Sequence, residues 1–107
     1  MKLLSRTEEI LLLAVHATQP EAYGVAIRKH LKAVTGKRWS VGAVYIPLWR
    51  LEEKGLLRSN EGEPTPERGG RSKRFYELTG AGVAALNEVH ELHERLWAQA
   101  NLEASRA

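Results

Sequence analysis

Residues 66–78 read PERGGRSKRFYEL: four cations and a Gly-Gly pair stand directly before a β-type run. Arg68, Arg71, Lys73 and Arg74 lie within seven positions with no acid among them. Like charges this close repel, so folding alone gives little reason to gather them. Upstream, LLRS (56–59) is a second short β-like run. The Gly- and Pro-rich stretch NEGEPTPERGGRSK between the two runs reads as the tip of an extended hairpin.

Working outward, three helices precede this hairpin and one long helix follows it. SRTEEILLLAVHA opens with a capping box, Ser5 accepting from the Glu8 N–H and Glu8 reaching back to Ser5. The apolar run behind it predicts a helix from about Arg6 to Ala17, buried nearly all round. Pro20 breaks the connector. A second helix is expected from Tyr23 or Gly24 to Val34, with Val25 or Ala26, Ile27 and Leu31 as its buried stripe and Val34 continuing one turn on. Gly36 fits a helix-ending residue at positive φ. Ser40 caps a third helix, VGAVYIPLWRLEEK, ended by Gly55. Its buried seam is Val44, Leu48 and Leu51, spaced by four and three. Gly42, Ile46, Trp49 and Glu53 share another face, with Tyr45 beside it. Pro47 removes one backbone hydrogen bond, which predicts a kink near Ala43. Thr79 caps a last helix from about Gly80 to Ala104, with Val83, Leu86, Val89, Leu92, Leu96 and Trp97 on a broad apolar face. At about 35 Å that helix outruns so small a core, so part of its face needs a partner.

The chain has 107 residues, a length that suits one folding unit. It contains no cysteine, which excludes disulfides and thiolate metal sites and fits a reducing compartment. Arg6, Glu8 and Glu9 interrupt any signal-peptide core, and Ile10 to Val15 is far too short to span a bilayer. A soluble cytoplasmic protein, with no membrane partner, is the simplest reading. The net charge is only +3, but its distribution is uneven. Arg28, Lys29, Lys32, Lys37 and Arg38 load one stretch and the hairpin tip another, whereas Glu88, Glu91, Glu94 and Glu103 make the tail acidic. Two surfaces with different partners follow.

The order helix, helix, helix, hairpin, long helix is mainly α with a small β-hairpin: a winged helix-turn-helix plus a C-terminal helix. A basic hairpin tip beside an outward-facing helix N-terminus suits a phosphate backbone. Glycines in the tip let it approach closely, with no Cβ in the way. The competing reading of the tip is a solvated charged loop. Aspartate is absent, no Cys nucleophile or Ser-His-Asp arrangement is suggested, and no Gly-rich phosphate loop follows a strand. The chain is therefore expected not to be an enzyme and to need no cofactor. HELHE (90–94) misses the metalloprotease pattern, because its histidines stand three apart rather than four. No metal site is expected there. His16 is read as a core or interface residue and His30 as exposed.

LSRTEEILLLAV (4–15), AYGVAIRKHL (22–31), SVGAVYIPLWRLEEKGLL (40–57) and RGGRSKRFYELTGAG (68–82) together closely resemble the PadR family of bacterial transcriptional regulators. The resemblance covers roughly Leu4 to Leu86. It implies a homodimeric repressor that reads an inverted repeat in double-stranded DNA, the third helix in the major groove and the wing on the neighbouring backbone. Residues 1–79 would be the DNA-binding domain and 80–107 the dimerisation helix of the family's short branch. Ser40, Gly42 and Tyr45 then fall where the recognition helix meets DNA, Arg68, Arg71 and Lys73 on the wing, and Tyr23 and Gly24 near the phosphates. Lys37 and Arg38, just ahead of the recognition helix, join them. Tyr45 either donates to a phosphate or packs under the wing. Many members carry proline directly after this tyrosine; here Ile46 follows it and proline comes at 47. The shift turns the face by about 100°, so Ile46 and Trp49 are not assigned as base readers, and Trp49 is expected to cover the helix against the first helix or the wing. Some short members hold flat hydrophobic molecules between tryptophans of two C-terminal helices. Trp97 is similarly placed, which leaves two readings: a planar hydrophobic ligand, or ordinary dimer packing. The alternative function is a winged-helix module for a protein or RNA partner.

Overall fold

The computed structural model describes residues 3–62, 73–100 and 102. Its elements are α1 (Arg6–Ala17), α2 (Gly24–Thr35), α3 (Val41–Glu53), β1 (Leu57–Glu61), β2 (Arg74–Leu78) and α4 (Gly80–Ala100). This is the expected mainly helical fold with a two-stranded antiparallel hairpin.

The start of α1 is fixed by its own sequence. Ser5 Oγ accepts from the Glu8 N–H at 3.1 Å, and Glu8 Oε1 accepts from the Ser5 N–H at 2.8 Å. The other Glu8 oxygen accepts from Lys54 at the end of α3, so one carboxylate caps α1 and ties it to α3. The Lys54 bond, and then the Ser5 N–H, hold the Glu8 carboxyl below its ordinary value of 4.5. A carboxyl with a lower folded-state pKa stabilises the fold above its ordinary range and stops doing so as pH falls through the folded value. Glu8→Gln should therefore melt lower than the parent at pH 7, and the gap should close below about pH 4.5. A gap that is constant with pH would assign the loss to capping geometry alone.

The core gathers Leu11, Leu12, Ala14 and Val15 of α1, Ala22, Ile27 and Leu31 around α2, the Val44–Leu48–Leu51 seam of α3, and Leu57 and Tyr76 of the hairpin. α2 ends as its sequence implies: Gly36 sits at φ 72° and donates to the Lys32 carbonyl. Several apolar residues are more exposed than expected. Val34 is open to solvent, because the last turn of α2 outruns the helices it packs on. Leu13 is half exposed, so α1 is not buried all round; it shows one apolar stripe toward α4. His16 is exposed and not in the core, whereas His30 is half-buried.

β1 and β2 pair from Leu57 opposite Leu78 to Glu61 opposite Arg74. Two ion pairs cross the ladder, Arg58 to Glu77 at 2.7 Å and Arg74 to Glu61 at 3.2 Å. A two-stranded hairpin is marginal alone, and this one is docked. The Tyr76 N–H donates to the Ala22 carbonyl at 2.9 Å, Tyr23 bridges to Phe75, and the Gln19 amide donates to both Val15 and Tyr76 carbonyls. The segment before α2 thus serves as a third edge.

α4 starts on the α3–β1 turn. Thr79 Oγ1 donates to the Gly55 carbonyl and accepts from the Gly82 N–H, while the Thr79 N–H donates to the Leu56 carbonyl. Gly82 and Val89 are buried and Leu86 packs on the core. Past Val89 the helix, about 31 Å long, leaves the core, and Leu96 and Trp97 are exposed.

Candidate nucleic-acid interface

The turn between α2 and α3 is organised by one hydroxyl and one guanidinium. Thr35 Oγ1 donates to the Leu31 carbonyl at 2.7 Å and accepts from the Lys37 N–H and the Trp39 indole, both at 3.2 Å. Arg28 donates to the Trp39 carbonyl through Nε and a terminal nitrogen at 3.2 and 3.1 Å. Trp39 packs on the core, so the turn is anchored from inside and Lys37 and Arg38 project from it. Ser40 follows, its Oγ accepting from the Ala43 N–H at 3.0 Å. No acid occupies the first turn of α3. Ser40 satisfies one helix-start donor, and those ahead of it remain available to an anion. Gly42 is open: a Cβ there would meet only the Ile46 side chain, at 3.8 Å.

A second group lies where α2, α3 and the wing converge. Gly24 is buried and has no room for a Cβ, which would overlap the Tyr45 hydroxyl and the end of its ring. Tyr45 therefore packs its tip on the first turn of α2 and still keeps an exposed flank. Beside it the Lys73 ammonium sits 4.2 Å above the Tyr23 ring, and Tyr23 meets Phe75 edge-on at 5.7 Å and 70°. The cation–π contact, worth about 0.5–1 kcal/mol at an exposed site, holds the last wing cation toward the α2 N-terminus.

Two clusters thus emerge from the sequence-derived residues: Lys37, Arg38, Ser40 and Gly42 at the start of α3, and Tyr23, Gly24, Tyr45 and Lys73 beside them. Arg68 and Arg71 lie outside the described residues. Trp97 is apart from both, on α4, in an apolar groove with Leu96, Ala100 and Leu102 and beside a second groove formed with Arg6, Glu9, Ile10, Leu13 and His93. Sequence reasoning missed Phe75, whose signal is its place beside the inward-facing Tyr76 in the alternating β2. Trp49 is 61% exposed, more than a residue covering α3 would be. Helical spacing puts Trp49 opposite the buried Val44–Leu48–Leu51 seam. The histidines of 90–94 part company: His90 pairs with Glu94 at 3.0 Å and His93 with Glu9 of α1 at 3.3 Å. Among the described residues, no three metal-competent side chains are gathered, and no helix is long and apolar enough to cross a membrane.

The family model described as "Transcriptional regulator PadR-like family" matches residues 12–88. The chain is 38% identical over 81 residues to the transcriptional regulator Rv3488 of Mycobacterium tuberculosis, an alignment spanning 76% of this chain and 71% of that protein. Its fold is similar to a PadR-like transcription factor from Bacteroides fragilis, with a TM-score of 0.75 and 29% identity over 88% of this chain and 85% of the other. A PadR family regulator from Eggerthella lenta gives a TM-score of 0.69 and 26% identity, over 89% and 80% of the two chains. The overall fold is thus shared with known regulators, and this chain belongs to the PadR-like family of transcriptional regulators.

Proposed function

We propose that this regulator is a repressor that binds double-stranded DNA in the cytoplasm as a homodimer, reading a pseudo-palindromic operator with one α3 per half-site. Residues 1–79 form the DNA-binding part and 80–107 the dimerisation helix. The observation that carries the reading is the α3 N-terminus: exposed, free of acid, and flanked by Lys37 and Arg38 on one side and by the Lys73–Tyr23 pair on the other. Val41 and Gly42 enter the major groove first. Lys37, Arg38 and the Ser40 turn hold one phosphate strand, while Tyr23, the Gly24 backbone, the Tyr45 hydroxyl and the wing cations Arg68, Arg71 and Lys73 follow the other. Phosphate contacts of this kind set register and affinity, not sequence preference. Trp97 stands ready on α4 for a planar hydrophobic ligand that would release the operator, an assignment supported by its exposure in an apolar groove.

The test is fluorescence anisotropy of a labelled duplex carrying the region upstream of the protein's own gene, against a scrambled duplex, at two salt concentrations. Tighter binding to the native duplex that persists at high salt is expected. Equal, weak binding that salt abolishes would leave a winged-helix module whose basic surface serves a protein or RNA partner. Arg71→Ala should weaken binding by a similar factor on both duplexes and reduce the salt slope by about one. An unchanged slope would remove Arg71 from the interface.

A further inference from the structure

The outward face of α3 is apolar where a solvated helix would be polar. At 100° per residue, Gly42, Ile46 and Trp49 fall within about 60° of one another and opposite the Val44–Leu48–Leu51 seam. Ile46 is 54% exposed and Trp49 61%. The bare backbone at Gly42 extends the strip toward the N-terminus, because the Ile46 δ-methyl has only empty space where a side chain at 42 would lie. Ahead of this apolar centre and along one flank the charges are basic: Lys37 and Arg38 before it and exposed Arg50 beside it. Glu53 closes the strip one turn beyond Trp49, where a helix entering by its N-terminus leaves the groove.

An apolar floor with a cationic rim matches one surface in particular. The DNA major groove has phosphates at its edges, and the only apolar group on its floor is the thymine C5-methyl. We propose that Ile46 and Trp49, with the space left by Gly42, are specificity-determining residues that read thymine methyls, so that this regulator selects half-sites by apolar contact as well as by hydrogen bonds. The inference rests on the DNA-binding reading above and assigns two residues that the family resemblance left unassigned as base readers. A protein partner would also suit an apolar strip, but the cationic surround and the continuity with the α3 N-terminus favour the groove.

The experiment starts by selecting duplexes from a random pool with the intact protein, then replaces each thymine of the selected half-site by deoxyuridine. That change removes one methyl and leaves every hydrogen-bonding edge and phosphate in place. Binding should fall about fourfold for each methyl that α3 covers, and 5-bromodeoxyuridine, whose bromine fills the methyl's volume, should restore it. Ile46→Ala should lose the preference for thymine over deoxyuridine at its own position and keep its melting temperature, since Ile46 is outside the core. If no sequence is enriched, the DNA-binding reading itself fails. If a sequence is enriched but contains no thymine in the half-site, or binds equally well with deoxyuridine throughout, the methyl inference fails and DNA binding stands. If thymine is preferred equally by parent and Ile46→Ala, the methyl is read elsewhere and this assignment falls.

Discussion

Replacing Gly82 by alanine should destabilise the protein by about 2–3 kcal/mol, a fall of roughly 8–20 °C in melting temperature for a domain of this size. Helix propensity alone gives the opposite sign, since alanine is favoured over glycine in a helix interior by about 1 kcal/mol. The reversal comes from one contact. A Cβ at Gly82 would run into the Leu56 carbonyl, which is backbone and has no rotamer to change. Nor is Leu56 free to retreat. Its carbonyl accepts from the Thr79 N–H at 3.1 Å, its own N–H donates to the Leu51 carbonyl at 2.9 Å, and Gly55 before it is committed to φ 78°. The strain must go into α4, which would lift from the α3–β1 turn and lose the burial of Val89 and Leu86. Gly42→Ala is the matched control, another helical glycine whose added methyl meets nothing nearer than 3.8 Å. Thermal melts by circular dichroism at equal protein concentration should show Gly82→Ala far below the parent and Gly42→Ala level with it or slightly above. Equal melting temperatures for the two would mean that α4 does not press on Leu56.

What could be read in advance follows the range of each interaction along the chain. The Ser5–Glu8 box, the Ser40 cap and the turn glycine Gly36 are local, spanning no more than four residues, and they appear where the sequence puts them. The seam Val44, Leu48, Leu51 is legible because period fixes which residues share a face. Period does not say whether a face is covered. Leu13 and Val34 belong to apolar patterns and Trp49 stands off the seam, yet all three are exposed, which no period announces. The Tyr45–Gly24 contact, the Lys73–Tyr23 pair and the His93–Glu9 pair join residues far apart in sequence, and no spacing rule announces them. The Gly24 case is instructive because the glycine is needed for another residue's ring, not for its own φ.

Changing Leu96 and Trp97 together to glutamate should turn the protein into a folded monomer and weaken its binding to a two-half-site operator by about 10²–10³-fold. Both side chains are more than half exposed, so their loss leaves the core intact and the melting transition should persist. What changes is the face. α4 already carries Glu88, Glu91 and Glu94, and two further acids on its apolar side would set like charges against each other wherever two copies of the helix meet. The same face continues onto α1 through Leu13 and Ile10, which share a groove with Trp97, so a second copy would cover an apolar surface that the monomer leaves open. Two α3 helices linked in one dimer raise each other's local concentration on the operator, and breaking the link forfeits that gain, typically 10²–10⁴-fold. A duplex with a single half-site supplies the internal comparison, because monomer and dimer should bind it with nearly equal per-site affinity. Sedimentation equilibrium and anisotropy on both duplexes separate the cases. A double variant that stays dimeric would move self-association to another surface. A monomer that binds the full operator undiminished would show that each winged helix works alone.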